Sequence, residues 1–195
     1  MSKVQIFNIV LNILGVSSSL ENPNSTDNKA VLLNNYYELA RDYVLKDFDW
    51  NFASIFRTLA LNAEVESYGQ FRYCYDYPND CICARDIFQD GNYQMQPFSI
   101  SALPNSNKVI LTDIPNATLR YTKRIENEQF FTCEFSMALA YYLASLVAGV
   151  LVGSIQKGEL AYEKYLKFLS RARLLNAREG LDEKISNDDY LSARG

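Results

Sequence analysis

The sequence predicts an α+β protein: a mainly helical bundle of four helices, an antiparallel β extension inserted between helices two and three, and an extended C-terminal tail. Three observations carry this. In both flanks of the chain, apolar residues recur at steps of three and four. Between Trp50 and Ile125 the segments become short, rich in aromatic and β-branched residues, and broken by turn signals. After Arg178 the apolar periodicity is lost.

The first helix is expected from Lys3 to Leu14, stopping at Gly15, because a glycine just past the last turn tolerates a left-handed backbone. Its Gln5, Asn8 and Asn12 fall at steps of three and four, which builds a polar face on a helix and breaks the resemblance to a signal peptide. The connection "SSSLENPNSTD" is polar. Ser25, Thr26 or Asp27 then caps a second helix that runs to about Lys46, with Ala30, Leu33, Tyr37, Ala40 and Val44 as its apolar stripe.

The middle of the chain reads as six strand candidates, "SIFRTLAL", "QFRYCYDYP", "CICARDIF", "PFSIS", "KVILTD" and "ATLRYTKRI". In the last of these, Leu119 and Tyr121 alternate with Thr118, Arg120 and Thr122, as on a half-buried strand. Thr132 is expected to cap a third helix over 133–153, with Glu134 favoured in its first turn by the helix dipole. The fourth is expected from about Gln156 to Arg178, with Ala161, Tyr165, Phe168, Ala172 and Leu175 on one face and a Glu163–Lys167 pair opposite. The whole is one domain: bundle from 3–48 and 132–178, β extension 52–125, tail 179–195.

Residues 135–156 contain no charge and are long enough to span a bilayer. Small residues step along this segment at Ala140, Ala144 and Ala148, and at Ser145, Gly149 and Gly153. Such ridges serve close helix packing in membranes and in soluble bundles alike. The buried helix of a soluble bundle is the reading adopted, with membrane association as the alternative.

Composition narrows the function. The 195 residues carry a net charge of −4, which argues against a general nucleic-acid binder. There is no histidine, so the commonest general base and metal ligand are missing. Cys74, Cys81, Cys83 and Cys133 lack zinc-site spacing and read as small buried hydrophobes in a reducing compartment. The carboxylates Asp76, Asp80, Asp86 and Asp90, and Asp188 with Asp189, read as solvated turn and tail charges. No phosphate-loop, dinucleotide, nucleophile-elbow or zincin motif is present. No enzyme, metal or cofactor is expected. The 14 tyrosines and 11 phenylalanines suit extended protein–protein contacts.

Read together, "NIVLNILGV…SL", "RDYVLKDFDWNFA…TLAL", "YDYPNDCICARDIF", "PFSI", "VILTD…ATLRYT", "F…FSMALAYYLAS" and the late "NAREG" form an ordered pattern over almost the whole chain. That pattern resembles the tail tubular protein A family of short-tailed phages, the head-to-tail adaptors, with the related ring proteins of crAss-like phages. The resemblance implies a virion protein: a homo-oligomeric ring of twelve copies between the portal protein and the tail nozzle, with double-stranded DNA passing through its lumen during genome ejection.

Roles for particular residues follow as expectations. Leu181, Ile185, Tyr190, Leu191 and Arg194 in the tail would order on the portal, since residues 179–195 carry too few apolar side chains to fold alone. Ala140, Ala144, Ala148, Gly149, Gly153, Tyr165 and Phe168 would pack the bundle and its neighbours. Phe48, Trp50 and Phe52 would set the corner between bundle and extension, the Trp50 N–H reaching a carbonyl there. Arg120, Lys123 and Arg124 form a small basic cluster toward the lumen, a partner or solvent. The alternative to the adaptor is a membrane-associated or small regulatory protein using residues 135–156.

Overall fold

The structure is a computed structural model that describes residues 1–65, 69–89, 92–104 and 107–192, with only the backbone described at 92–93 and 176–192. It is mixed α+β, with four helices and two antiparallel sheets. The order is α1 (Lys3–Ile13), α2 (Asn28–Asp47), β1 (Ser54–Thr58), β2 (Tyr73–Asp76), β3 (Cys81–Gln89), β4 (Asn92–Gln96), β5 (Ser99–Ala102), β6 (Lys108–Thr112), β7 (Ala117–Lys123), α3 (Cys133–Leu151) and α4 (Ile155–Ser192). Two compact units result: Met1–Phe52 with Ile125–Gly195, and Ala53–Arg124.

In the helical unit the caps are local chemistry. Ser2 and Gln5 form a reciprocal capping box at the start of α1, satisfying two N–H groups that no helical turn reaches. Asp27 caps α2 by accepting from the Lys29 N–H, and Thr132 caps α3 by accepting from the Phe135 N–H. Past α1, Gly15 takes φ +74°, and the Val16 N–H returns to the Leu11 carbonyl at 2.9 Å. Lys157 donates from Nζ to the Leu14 carbonyl at 2.6 Å, placing a cation at the negative end of α1. The Asn8 amide clamps the following loop, donating to the Leu20 carbonyl and accepting its N–H.

The expected stripe of α2 is buried at all five positions, and Ile6, Phe7, Val10 and Leu11 bury the inner side of α1. Phe7 meets Tyr37 edge-on at 5.6 Å between ring centroids. The inner stripe of α4 is Ala161, Tyr165, Leu169 and Ala172; Leu175, expected inside, is exposed. The step from Tyr165 to Ala172 is met through Leu169 as well as the half-buried Phe168, which shifts the stripe round the helix.

Two of these buried tyrosines end on carboxylates. Tyr37 Oη donates to Glu128 Oε1 at 3.0 Å, and Tyr165 Oη to Asp47 Oδ2 at 2.6 Å. Burial first, and then the neighbouring carboxylate, raises both phenols far above their ordinary value of 10.0. The folded state therefore keeps protons that the unfolded chain loses above about pH 10. The linked stability is fully present below that pH and falls as pH rises beyond it. We expect the urea midpoint to drop between pH 9 and pH 11, with a shallower drop in Tyr165→Phe. Equal pH slopes in the two proteins would show that Tyr165 does not contribute.

In the β unit one sheet runs β1-β7-β3-β4 and the other β2-β6-β5, all antiparallel. Leu59, Tyr75, Ile87, Ile110, Ala117, Leu119 and Tyr121, from both sheets, form one buried cluster. Cys74, Leu103, Val109 and Leu111 form a second against Val65 and Phe71. The Tyr75 hydroxyl donates to the Ile114 carbonyl at 2.8 Å, which satisfies its polar tip.

Three expectations need correction. The sheets contain seven strands rather than six: β4, "NYQMQ", alternates Tyr93 and Met95 with polar residues, a short period-two signal that was passed over. The α4 backbone stays helical to Ser192, where an extended tail was expected from 179. Residues 176–192 hold no proline to break the helix, and it continues through Gly180 and the Asn187–Asp188–Asp189 run although these are poor helix formers. Of the cysteines only Cys74 is buried; Cys81 and Cys83 are half-buried and Cys133 is exposed, all as free thiols. A bulge in β3 between Cys81 and Cys83 interrupts the simple alternation across that pair.

Candidate functional site

The small-residue ridge of α3 divides in two. Ala140, Ala144 and Ala148 are fully buried. Gly149 and Gly153 instead face open space, and Gly153 serves as the left-handed stop of the helix at φ +62°. The close approach between α3 and α4 falls on Gly158, which the sequence reading passed over: a Cβ there would lie 3.1 Å from the Ser145 carbonyl oxygen and 3.4 Å from Ala148 Cβ. The overlooked signal was a glycine inside the helical pattern of α4, a residue that lowers helix stability unless packing needs it.

Tyr165 is buried as expected, and Phe168 stacks on Tyr141 at 5.2 Å. Around Tyr165 the rings of Tyr43, Tyr142 and Tyr162 gather. Tyr43 and Tyr142 stack at 4.4 Å with only 3° between planes. Beside them, Ser145, Leu146, Gly149, Ile155, Gly158, Glu159, Tyr162 and Glu163 line an open groove between α3 and α4.

The corner after α2 is an aromatic cluster. Trp50 is 3% exposed and its indole N–H donates to the Val44 carbonyl at 2.8 Å, as expected for a ring that must keep its polar atom satisfied. Phe48 and Phe135 meet it edge-on at 4.8 and 5.1 Å. Phe52 and Phe131 complete the group against Phe135.

The basic cluster is split by the sheet. Arg120 and Lys123 sit three residues apart on β7, so alternation sends them to opposite faces. Arg120 binds Asp86 through Nε and Nη2, the first at 2.8 Å. Lys123 Nζ lies 3.9 Å from Asp80, which also accepts from Tyr121 Oη at 2.9 Å and from Arg57 at 3.3 Å. The Arg124 N–H donates to the Asp80 carbonyl at 2.7 Å. Asp80 and Asp86, read as solvated carboxylates, are therefore the anions around which this part of the sheet is held. Burial and then Asp80 push the Tyr121 phenol above its ordinary range, and burial raises the Cys81 thiol to about 11, so that thiol is protonated at neutral pH.

Of the tail residues, Leu181, Ile185, Tyr190 and Leu191 lie on the helical backbone of α4, and Arg194, like Asp90, lies outside the described residues. Among the described residues no group of three or more His, Cys, Asp or Glu is placed to hold a metal ion. α3 is long and apolar enough to cross a membrane, and half of its apolar window is buried within the protein.

No protein-family model matches this sequence, and no curated protein matches it.

Proposed function

We propose that the four helices form a bundle from which the strands project as an insertion, and that the protein is a structural, non-enzymatic head-to-tail adaptor that assembles into a ring in a phage virion. The observation that supports this best is a pair of different apolar faces on the helical unit. Val31, Leu39 and Tyr43 are exposed along α2; Leu160, Leu166 and Leu174 are exposed along α4. Charges of both signs accompany each set: Glu38, Asp42 and Lys46 on α2, and Glu159, Glu163, Lys164, Lys167 and Arg171 on α4. Two unlike exposed apolar faces suit a heterologous contact, in which one copy's α2 meets the next copy's α4. Such contacts build rings when their rotation closes. Portal binding by the late α4 residues and DNA passage through the lumen belong to the same reading.

The test is the mass of the purified protein in solution, measured alone and with a portal ring. Many copies assembling on the portal would support the adaptor. A protein that stays monomeric and ignores the portal would sink it. Insolubility without detergent would turn attention to α3 and the membrane alternative.

A further inference from the structure

The three-stranded sheet has an edge that the ring reading does not use. Its outer strands are β2 and β5. The outer edge of β2 is covered by its own chain: the Asn62 N–H donates to the Cys74 carbonyl at 2.8 Å, and the Asp76 N–H to the Ala60 carbonyl at 3.0 Å. β5 has no such cover among the described residues. The Leu103 N–H donates to the Asn107 carbonyl at 2.9 Å, one step beyond the paired positions Ala102 and Lys108. Alternation along an antiparallel ladder then turns the backbone groups of Ser99 and Ser101 toward β6, and those of Ile100 and Ala102 outward. Neither outward residue has a hydrogen-bond partner on that side among the described residues, and Ile100 is 47% exposed.

We propose that this edge pairs with the same edge of a second copy, antiparallel, about a two-fold axis through Ser101. Backbone chemistry selects the class of occupant: a row of unpaired N–H and C=O groups is a template for another extended strand. Charge selects a second copy. A two-fold axis sets each side chain near its own counterpart, so a charged edge would meet like charge. Residues 91–107 hold no charged side chain, in a chain that is 22% charged. β1, an outer strand of the other sheet, carries Arg57. The register follows from the outward groups. With the axis at Ser101, Ile100 of each copy faces Ala102 of the other, and each pair exchanges both of its hydrogen bonds. No outward group of β5 is left over. The Ile100 side chain then lies beside Ala102, whose small size leaves it room, and loses its exposure. An axis at Ile100 or Ala102 would instead carry one of these two residues past the end of the strand.

A two-fold contact closes after two copies, so it is distinct from the heterologous contact of a ring and does not rest on it. The edge is short, which makes the pairing concentration-dependent rather than permanent. The test is an isotope-filtered nuclear Overhauser measurement on the full chain, mixed from labelled and unlabelled copies at millimolar concentration. The expected result is a cross-copy contact between the two Ser101 Hα atoms, which meet at a closely spaced, non-hydrogen-bonded position. Exchange of the Ile100 and Ala102 amide protons should slow as the concentration rises. Ala102→Pro removes an outward N–H and leaves the bonds to β6, and an edge strand accepts proline at such a place. It should weaken pairing by about tenfold, the scale of the hydrogen bonds lost. Ser101→Lys sets two like charges at the axis; it should weaken pairing too, and added salt should restore it. No Ser101 contact, amide exchange that ignores concentration, or unchanged pairing in Ala102→Pro would overturn the proposal. If Ala102→Pro does not fold, Ser101→Lys decides in its place, and pairing as tight as the parent's would overturn it. Ring formation through α2 and α4 is read separately, because it would persist in Ala102→Pro while the Ser101 contact is lost.

Discussion

Trp50→Ala is expected to destabilise the helical unit by about 3–5 kcal/mol, the cost of removing a large buried aromatic and leaving a cavity. The substitution removes more than apolar area. Trp50 is the ring that Phe48 and Phe135 both meet edge-on, and its N–H satisfies the Val44 carbonyl near the end of α2. Without the indole, that carbonyl must find water. Of the rings against Trp50, Phe48 and Phe52 flank it in the chain and Phe135 belongs to α3, so collapse into the cavity would have to move a helix whose other side chains are already packed. Chemical denaturation followed by far-ultraviolet circular dichroism measures the effect. A loss below about 1 kcal/mol would mean that the cluster repacks freely.

Gly158 gives the second large effect, and its sign depends on the size of the replacement. Glycine within a helix costs roughly 1 kcal/mol relative to alanine. A Cβ at 3.1 Å from the Ser145 carbonyl oxygen needs a shift of only a few tenths of an ångström. We therefore expect Gly158→Ala to change stability little, the two effects nearly offsetting one another. Gly158→Leu cannot be absorbed in this way, because the added atoms press on the backbone of α3 rather than on a flexible side-chain end. It is expected to cost about 2–3 kcal/mol, the range for overpacking a tight contact. Thermal unfolding of the two variants beside the parent is the measurement. Equal melting temperatures for Ala and Leu would show that the two helices are free to separate at this level.

How much could be read in advance depended on whether the information was local. The cap at Thr132, the stop at Gly15 and the five buried positions of α2 follow from residues within a turn or two of each other and were legible, while the cap of α2 was narrowed only to Ser25, Thr26 or Asp27, of which Asp27 takes the role. The alternation of β7 was legible for the same reason. β4 was missed although Tyr93 and Met95 alternate with polar residues, because five residues give too short a pattern to stand out without the pairing to β3. The side-chain partners of Asp80 and Asp86 lie 23 to 43 residues away, so nothing near them in the sequence marked them as ion-pair centres. Gly149 and Gly153 showed the right spacing for a close contact but not the partner. Only the placement of α4 identifies Gly158 as the glycine that the contact requires.

The helical unit is assembled from both ends of the chain, and this has a consequence for synthesis on the ribosome. Residues 1–52 emerge first, but the surfaces that cover Phe7, Val44 and Trp50 include elements made only after residue 124. Until then α1 and α2 carry uncovered apolar faces, the kind of exposure that invites aggregation or chaperone capture. The sheets of residues 53–124, whose partners are all internal, can close while the remaining chain is still being translated. The Lys157–Leu14 hydrogen bond spans 143 residues and is among the contacts that must wait for α4. Completion of the fold is thereby a late event in vectorial synthesis, and a ribosome that stalls before α4 releases a chain with its β unit formed and its helices unfinished.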